Sequence, residues 1–210
     1  MTDNLHNLVI SHFEKNTDLL GPYSRFVIWV HGCCFNCKGC LADDTKTGNG
    51  RQISIEELGD IILAQDIEGI TISGGEPFLQ AQPLSALISY IRKNKDLGVI
   101  IYTGFLFNDI IKDETKFPLL KQADILIDGR YEQDKDDGRA YIGSSNQKLY
   151  LLTDRYKNVA EEYYSAKKRR AEIKITKDQV ILVGVPSGNV LSVWEDLKKK
   201  ARGNIDDFGN

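Results

Sequence analysis

Long apolar runs, an excess charge of one sign and scattered cysteines are all missing from this chain. No stretch of about 18 apolar residues occurs among its 210 residues, which excludes a membrane-spanning helix. The opening residues, MTDNLHNLVISHF, contain no basic segment followed by an apolar one. No secretory signal is therefore apparent, and a cytoplasmic location is expected. Lys and Arg number 27 against 30 Asp and Glu, a formal net charge of −3 that argues against broad nucleic-acid binding. Repeats, low-complexity tracts and an interdomain linker are absent too. Cysteine is confined to one eight-residue stretch, as Cys33, Cys34, Cys37 and Cys40. A disulfide framework spreads its cysteines so that bridges staple distant segments, and this cluster cannot do that. It reads as a metal site.

The 41% hydrophobic and 27% charged fractions are those of a globular chain with enough length for a core. Its middle alternates strand and helix signals. RFVIWV (Arg25–Val30) has the length and β-branched, aromatic content of a buried strand. Ser54 and Glu57 form a capping box, and Ile55, Leu58, Ile61 and Ile62 then follow helical spacing. Glu68–Ser73 is the next strand, and Pro83 opens a helix with Leu84, Leu87, Ile88 and Ile91 on one face. Gly98–Gly104 and Ala123–Asp128 are two more strands, joined by a helix between Asn108 and Gln122 that is interrupted at Pro118. This βαβαβαβ order predicts an α/β fold with a mostly parallel sheet. Beyond a charged loop over Tyr131–Gly143, Lys148–Thr153 reads as a strand. Ala171–Thr176 and Gln179–Val185 read as a hairpin about a Lys177–Asp178 turn, and Asn189–Ala201 as a final helix.

Ligands of parallel α/β sheets bind beyond the carboxyl ends of the strands. The four predicted strands are followed there by His31 to Cys40, by Gly74-Gly75-Glu76-Pro77, by Thr103-Gly104 and by Asp128-Gly129-Arg130. The cysteine loop parses in two ways. Cys33, Cys37 and Cys40 make C-x3-C-x2-C, while Cys34, Cys37 and Cys40 make C-x2-C-x2-C, the first three positions of a bacterial ferredoxin run. Neither parse finds the fourth ligand that a ferredoxin cluster or a closed structural zinc site needs. A three-thiolate 4Fe-4S cluster leaves one iron open for a substrate or cofactor.

The order Cys33-x3-Cys37-x2-Cys40, a strand, then Gly74-Gly75-Glu76-Pro77 resembles the radical S-adenosylmethionine superfamily. Within it FVIWVHGCCFNCKGC, TISGGEPF, IIYTGF and ILIDGRY, with Gly143-Ser144-Ser145-Asn146-Gln147, resemble the activating proteins of anaerobic ribonucleotide reductase and related glycyl-radical enzymes. The resemblance runs from about Gly21 to Thr153. It implies a partial (β/α) barrel with a radical S-adenosylmethionine core over 1–153, and a small hairpin and helix extension of unassigned role over 154–210. It implies that Cys33, Cys37 and Cys40 hold three irons of a 4Fe-4S cluster and that S-adenosylmethionine occupies the fourth. Reduction then yields a 5′-deoxyadenosyl radical that abstracts hydrogen. Gly74, Gly75 and Glu76 match the motif for the amino group of S-adenosylmethionine, which agrees with close glycine backbone and a carboxylate facing an ammonium. By the same resemblance Asp128 and Arg130 contact the cofactor, and Thr103 faces its ribose or carboxylate. The partners implied are a glycyl-radical enzyme as protein substrate and an electron donor such as flavodoxin or ferredoxin.

Position 34 is often proline or another residue in that family, and Cys34 is expected to be a small inert side chain. The lack of further cysteines argues against auxiliary clusters. Competing readings are a radical S-adenosylmethionine enzyme acting on a small molecule or peptide, and a non-catalytic iron–sulfur or zinc module. His6, His12 and His31 show no ligand spacing, and His31 is expected to be a local hydrogen bonder. Trp29 is expected in the core and Trp194 packing a terminal helix. Lys167-Lys168-Arg169-Arg170, Lys198-Lys199-Lys200 and Asp134 to Asp137 are expected on solvated surfaces.

Overall fold

The computed structural model describes residues 6–166, 168–175, 180–194 and 196–197. A seven-stranded sheet carries the molecule, in the order β3-β1-β2-β4-β5-β6-β7. Its centre is the predicted set of parallel strands: β2 (Arg25–Val30), β4 (Gly69–Gly74), β5 (Gly98–Tyr102) and β6 (Ile125–Asp128). These strands are apolar on both faces, so they read in the sequence as continuous rather than alternating runs. Phe26, Ile28 and Val30 enter one core, while Val27 and Trp29 enter another.

Helices α1 (Ile55–Leu63) and α2 (Ala81–Arg92) cover the first face, packing Leu58, Ile62, Leu84, Leu87, Ile88 and Ile91 onto the strands. Ser54 caps α1 as the capping box requires, its hydroxyl accepting from the Glu57 N–H at 3.0 Å. α2 starts two residues before Pro83, which sits in the first turn, where no intrahelical N–H bond is lost. The single helix expected over Asn108–Gln122 is two one-turn pieces, α3 (Phe107–Ile110) and α4 (Phe117–Leu120). Pro118 lies in the first turn of α4, so it starts a helix rather than interrupting one.

Two strands of the sheet have no counterpart in the predicted pattern. β1 (Asn7–Thr17) runs antiparallel between β2 and β3 (Arg51–Ser54). Its pairing with β2 shifts register at Ile10/His12 and again at Glu14/Thr17, which breaks the alternation that marks a strand. β7 (Lys148–Leu151) closes the other edge, antiparallel to β6. The sheet is thus parallel at its centre and antiparallel at both edges.

The second face is covered by later parts of the chain. Helix α5 (Lys157–Ser165) brings Tyr156, Ala160 and Tyr164 against Ile100, Ile125 and Ile127. β8 (Ala171–Ile175) and β9 (Val180–Gly184) form the expected hairpin, which packs Ile181 and Val183 on Leu19, Leu20, Val27 and Trp29. The Lys177–Asp178 turn lies outside the described residues, as do Lys167 and Lys198-Lys199-Lys200. The final helix expected over Asn189–Ala201 is present at 188–194 and 196–197, its remainder lying outside them. Arg169 and Arg170 are ion-paired within the chain, to Asp136 and Asp18. Among the described residues no helix is long and apolar enough to cross a membrane.

Candidate functional site

The carboxyl ends of β2, β4, β5 and β6 open into one cavity of about 200 Å³. Cys33, Cys37, Cys40, Gly74, Gly75, Glu76, Thr103 and Arg130 all line it. The predicted site residues therefore converge, with one exception. Asp128 is buried beneath the rim and is not part of the lining. Its carboxylate accepts from the Phe107 N–H at 2.7 Å and the Lys148 N–H at 3.3 Å, so it holds the ends of α3 and β7.

The cysteine loop leaves β2 at His31 and is tied down from several sides. His31 donates its backbone N–H to Val9, and its ring bonds the Ser11 hydroxyl and the Gly48 carbonyl, each at 3.1 Å. That is the local hydrogen bonding expected of it. The Gly74-Gly75-Glu76 turn is stitched to the same loop: Gly75 N–H donates to Val30 O and Glu76 N–H to Gly32 O, both at 2.8 Å. A Cβ on Gly75 would lie 2.0 Å from the Gly32 carbonyl oxygen, and Gly74 has φ +103°. Glycine is required here because two backbones touch, before any ligand is considered.

Glu76 is buried, and both of its carboxylate oxygens accept hydrogen bonds. Oε1 accepts from the Thr103 hydroxyl at 2.8 Å and the Phe78 N–H at 2.9 Å, and Oε2 from the Gly104 N–H at 2.8 Å. Burial raises its pKa above the usual carboxylate range, and those three donors pull it partly back. Glu76 and Thr103 thus lock the turn after β4 to the end of β5.

All four cysteines are free thiols. Cys34 is exposed and does not line the cavity, in contrast to the other three. Burial pushes the Cys33 and Cys40 thiols up, while nearby Lys46 favours their thiolates. Among the described residues no three His, Cys, Asp or Glu side chains are gathered as a single metal ion would need. A polynuclear cluster places each thiolate on a separate iron and needs no such convergence. Three thiols around one cavity, with no fourth cysteine among the described residues that line it, fit a cluster with an open iron.

Two residues of the site, Phe35 and Gln80, have no role legible in the sequence. Phe35 sits on the rim with the Arg130 guanidinium 4.4 Å above its ring centroid and Phe105 edge-on at 4.9 Å. A Cβ on Gly104 would lie 2.5 Å from the Phe35 ring, so the glycine after Thr103 makes room for it. Gln80 donates to the Val9 and His31 carbonyls and accepts from the Val9 N–H, bridging β1 to the cysteine loop. The Gly143–Gln147 segment holds the loop after β6. Gln147 accepts from the Gly143 and Ser144 N–H groups and donates to Gly129 O at 2.8 Å, and Asn146 donates to Arg130 O at 2.8 Å.

Residues 19–150 match the family model described as a 4Fe-4S single cluster domain. The anaerobic ribonucleoside-triphosphate reductase-activating protein of Enterobacteria phage T4 is 31% identical over 141 residues, 64% of this chain and 88% of that protein. The proteins of the same name from Vibrio cholerae and Pasteurella multocida are 30% and 29% identical, over 63% and 65% of this chain and 91% and 94% of theirs.

Proposed function

The chain belongs to the 4Fe-4S single cluster domain family and is similar to anaerobic ribonucleoside-triphosphate reductase-activating proteins, and on that premise we propose that it is a cytoplasmic radical S-adenosylmethionine activase of a glycyl-radical enzyme. The observation that carries this reading is the convergence of three cavity-lining thiols, the Gly74-Gly75 turn and Arg130 at the carboxyl ends of the parallel strands. We read those strands, with the helices on their outer face, as part of a (β/α) barrel. Residues 1–153 form its radical-generating core and 154–210 an extension.

Cys33, Cys37 and Cys40 would hold a 4Fe-4S cluster. The backbone of Gly74-Gly75 and the Arg130 loop would hold S-adenosylmethionine, with Glu76, Thr103 and Asp128 fixing those segments from behind. Bound together, and given one electron from a protein donor such as flavodoxin or ferredoxin, the two groups would supply reductive cleavage of a sulfonium C–S bond and, through it, hydrogen abstraction from a backbone glycine of the partner. The chain's own contribution is placement and the exclusion of water. Phe35, backed by Phe105, and Trp29 flank the cavity with apolar surface, and the Gly75–Gly32 contact seals the turn against the cysteine loop.

The test is anaerobic reconstitution with iron and sulfide, followed by S-adenosylmethionine and dithionite. The wild-type chain and Cys34→Ser should yield 5′-deoxyadenosine, and Cys37→Ser should lose both iron and product. Mixing with an anaerobic ribonucleotide reductase should then produce a glycyl electron-spin signal. A protein with a complete, reduced cluster that makes no 5′-deoxyadenosine would falsify the assignment.

A further inference from the structure

One side of the cavity is built by the extension. Leu182, Gly184 and Val185, at and just after the end of β9, line the same space as Gly74 and Arg130, together with Trp194. Val185 is 8% and Trp194 4% exposed, so both belong to packed structure rather than to a loose tail. Their support is the core of Ile181, Val183 and Val185 on Leu19, Leu20, Val27 and Trp29, on the sheet face that α1 and α2 leave uncovered. Ion pairs fix the hairpin from outside: Lys174 with Glu14 at 2.8 Å, and Arg170 with Asp18 at 2.8 Å. A Cβ on Gly184, whose φ is +98°, would lie 2.4 Å from the Arg170 carbonyl oxygen, so the pairing at this edge admits only glycine. The whole hairpin lies beyond residues 19–150, the part of the chain that matches the family.

We propose that the β8–β9 hairpin and Trp194 form the substrate-side wall of the reaction cavity and determine its specificity for a glycine carried on an extended backbone segment. This rests on the activase reading above. The cavity measures about 200 Å³, whereas an engineered cavity of ~150 Å³ accommodates one benzene ring. The cluster and S-adenosylmethionine together would fill such a space. The hydrogen donor must then reach the radical carbon along a wall of Trp29, Leu182, Val185 and Trp194. A wall of such bulky side chains favours an α-carbon that carries none. The glycine Cα–H bond breaks, its hydrogen completes the methyl group of 5′-deoxyadenosine, and the unpaired electron stays on the glycine.

The chain's two tryptophans, Trp29 and Trp194, both line this cavity, so intrinsic fluorescence reports its occupancy. The reconstituted full chain is titrated with two short peptides copied from the radical loop of an anaerobic ribonucleotide reductase, one with the native glycine and one with alanine there. Wild type should bind the glycine peptide at least tenfold more tightly, and Trp194→Ala or Leu182→Ala should shrink that preference below threefold. With the reductase itself, Val185→Trp should lower the glycyl-radical yield at least tenfold more than it lowers 5′-deoxyadenosine formation. Equal affinity of wild type for the two peptides, or equal loss of both activities in Val185→Trp, overturns the proposal. A gain in glycyl-radical yield on Trp194→Ala overturns it too, since the extension would then be a plug. If wild type cleaves no S-adenosylmethionine, the activase reading fails alone, and the peptide titration still decides on the wall.

Discussion

Glu76 shows how a residue can be found for one reason and retained for another. Its place after two glycines suggests a carboxylate waiting for an ammonium, yet both oxygens accept from Thr103, Gly104 and Phe78. Glu76→Gln puts an NH₂ where an acceptor stood and leaves a buried N–H unsatisfied, which costs about 1–3 kcal/mol. Urea denaturation without cofactor should register that loss, and an unchanged midpoint would mean that the carboxylate is not structural. His12 offers a second test. Its ring stacks on Trp29 at 4.4 Å, and its Nε2 is shielded from solvent without a hydrogen-bond partner among the described residues. Burial lowers its pKa below the ordinary histidine value, against the pull of Asp44 and Glu14. The unfolded chain titrates this group near ~6.5 and therefore binds more protons than the folded one below that pH. Stability should fall as pH drops through about 6.5 toward the lower folded value. His12→Phe, measured at pH 7.5 and 5.5, should show a smaller loss than wild type; an equal loss would assign the acid sensitivity to other groups.

Among the elements, α5 is tied to the core by the hydroxyl of its N-cap residue Tyr156 as well as by its apolar face. Tyr156 donates to Glu68 at 2.6 Å and accepts from Arg25 at 2.8 Å. Arg25 is fully buried, and its other bonds go to Thr71, Glu68 and the carbonyls of Pro22, Ile70 and Gly98. Tyr156→Phe leaves one guanidinium N–H without that acceptor, and a cost of about 1–3 kcal/mol follows. A cooperative urea transition at lower concentration should show it; a separate early transition would instead mean that α5 unfolds apart from the sheet. The sequence announces some elements and hides others, for physical reasons. The four parallel strands are buried on both faces, so their apolar runs stand out. The cysteine spacing and the glycine turn are equally plain, because close backbone contact permits few alternatives. β1 stays hidden because its register shifts disrupt alternation, and β3 because four residues at a sheet edge carry too little pattern. Phe35 and Gln80 are ordinary residue types whose roles come from segments far away in the chain.

At the scale of the molecule, the sheet separates two kinds of order. Its helix-covered face is a continuous apolar core, whereas the segment 31–50 at the carboxyl edge contains only one short 3-10 turn, Asp43–Lys46. Such a segment gains most from a bound cluster, because metal binding contributes directly to the folding of the loops that ligate it. Regions with few regular hydrogen bonds are also the first to open. Hydrogen exchange on the full chain should therefore change in two stages. Loading iron and sulfide should protect 31–46 and, through the Gly32 bonds to its backbone, the turn at 74–76. Strands β4 and β5, whose interior amides depend on global unfolding, should gain only the uniform increment that any ligand of the native state confers. Adding S-adenosylmethionine should then protect 129–131 and, if the hairpin forms the far wall of the cavity, 181–185 as well. A ligand that binds only the native state raises the protection of globally exchanging amides everywhere by the same free energy, about 2.7 kcal/mol at a hundredfold excess over Kd. Uniform protection at the first stage, with no excess in 31–46, would show that the cysteine loop is already ordered without its cluster. Protection confined to the glycine turn at the second stage would separate the extension from the cofactor site.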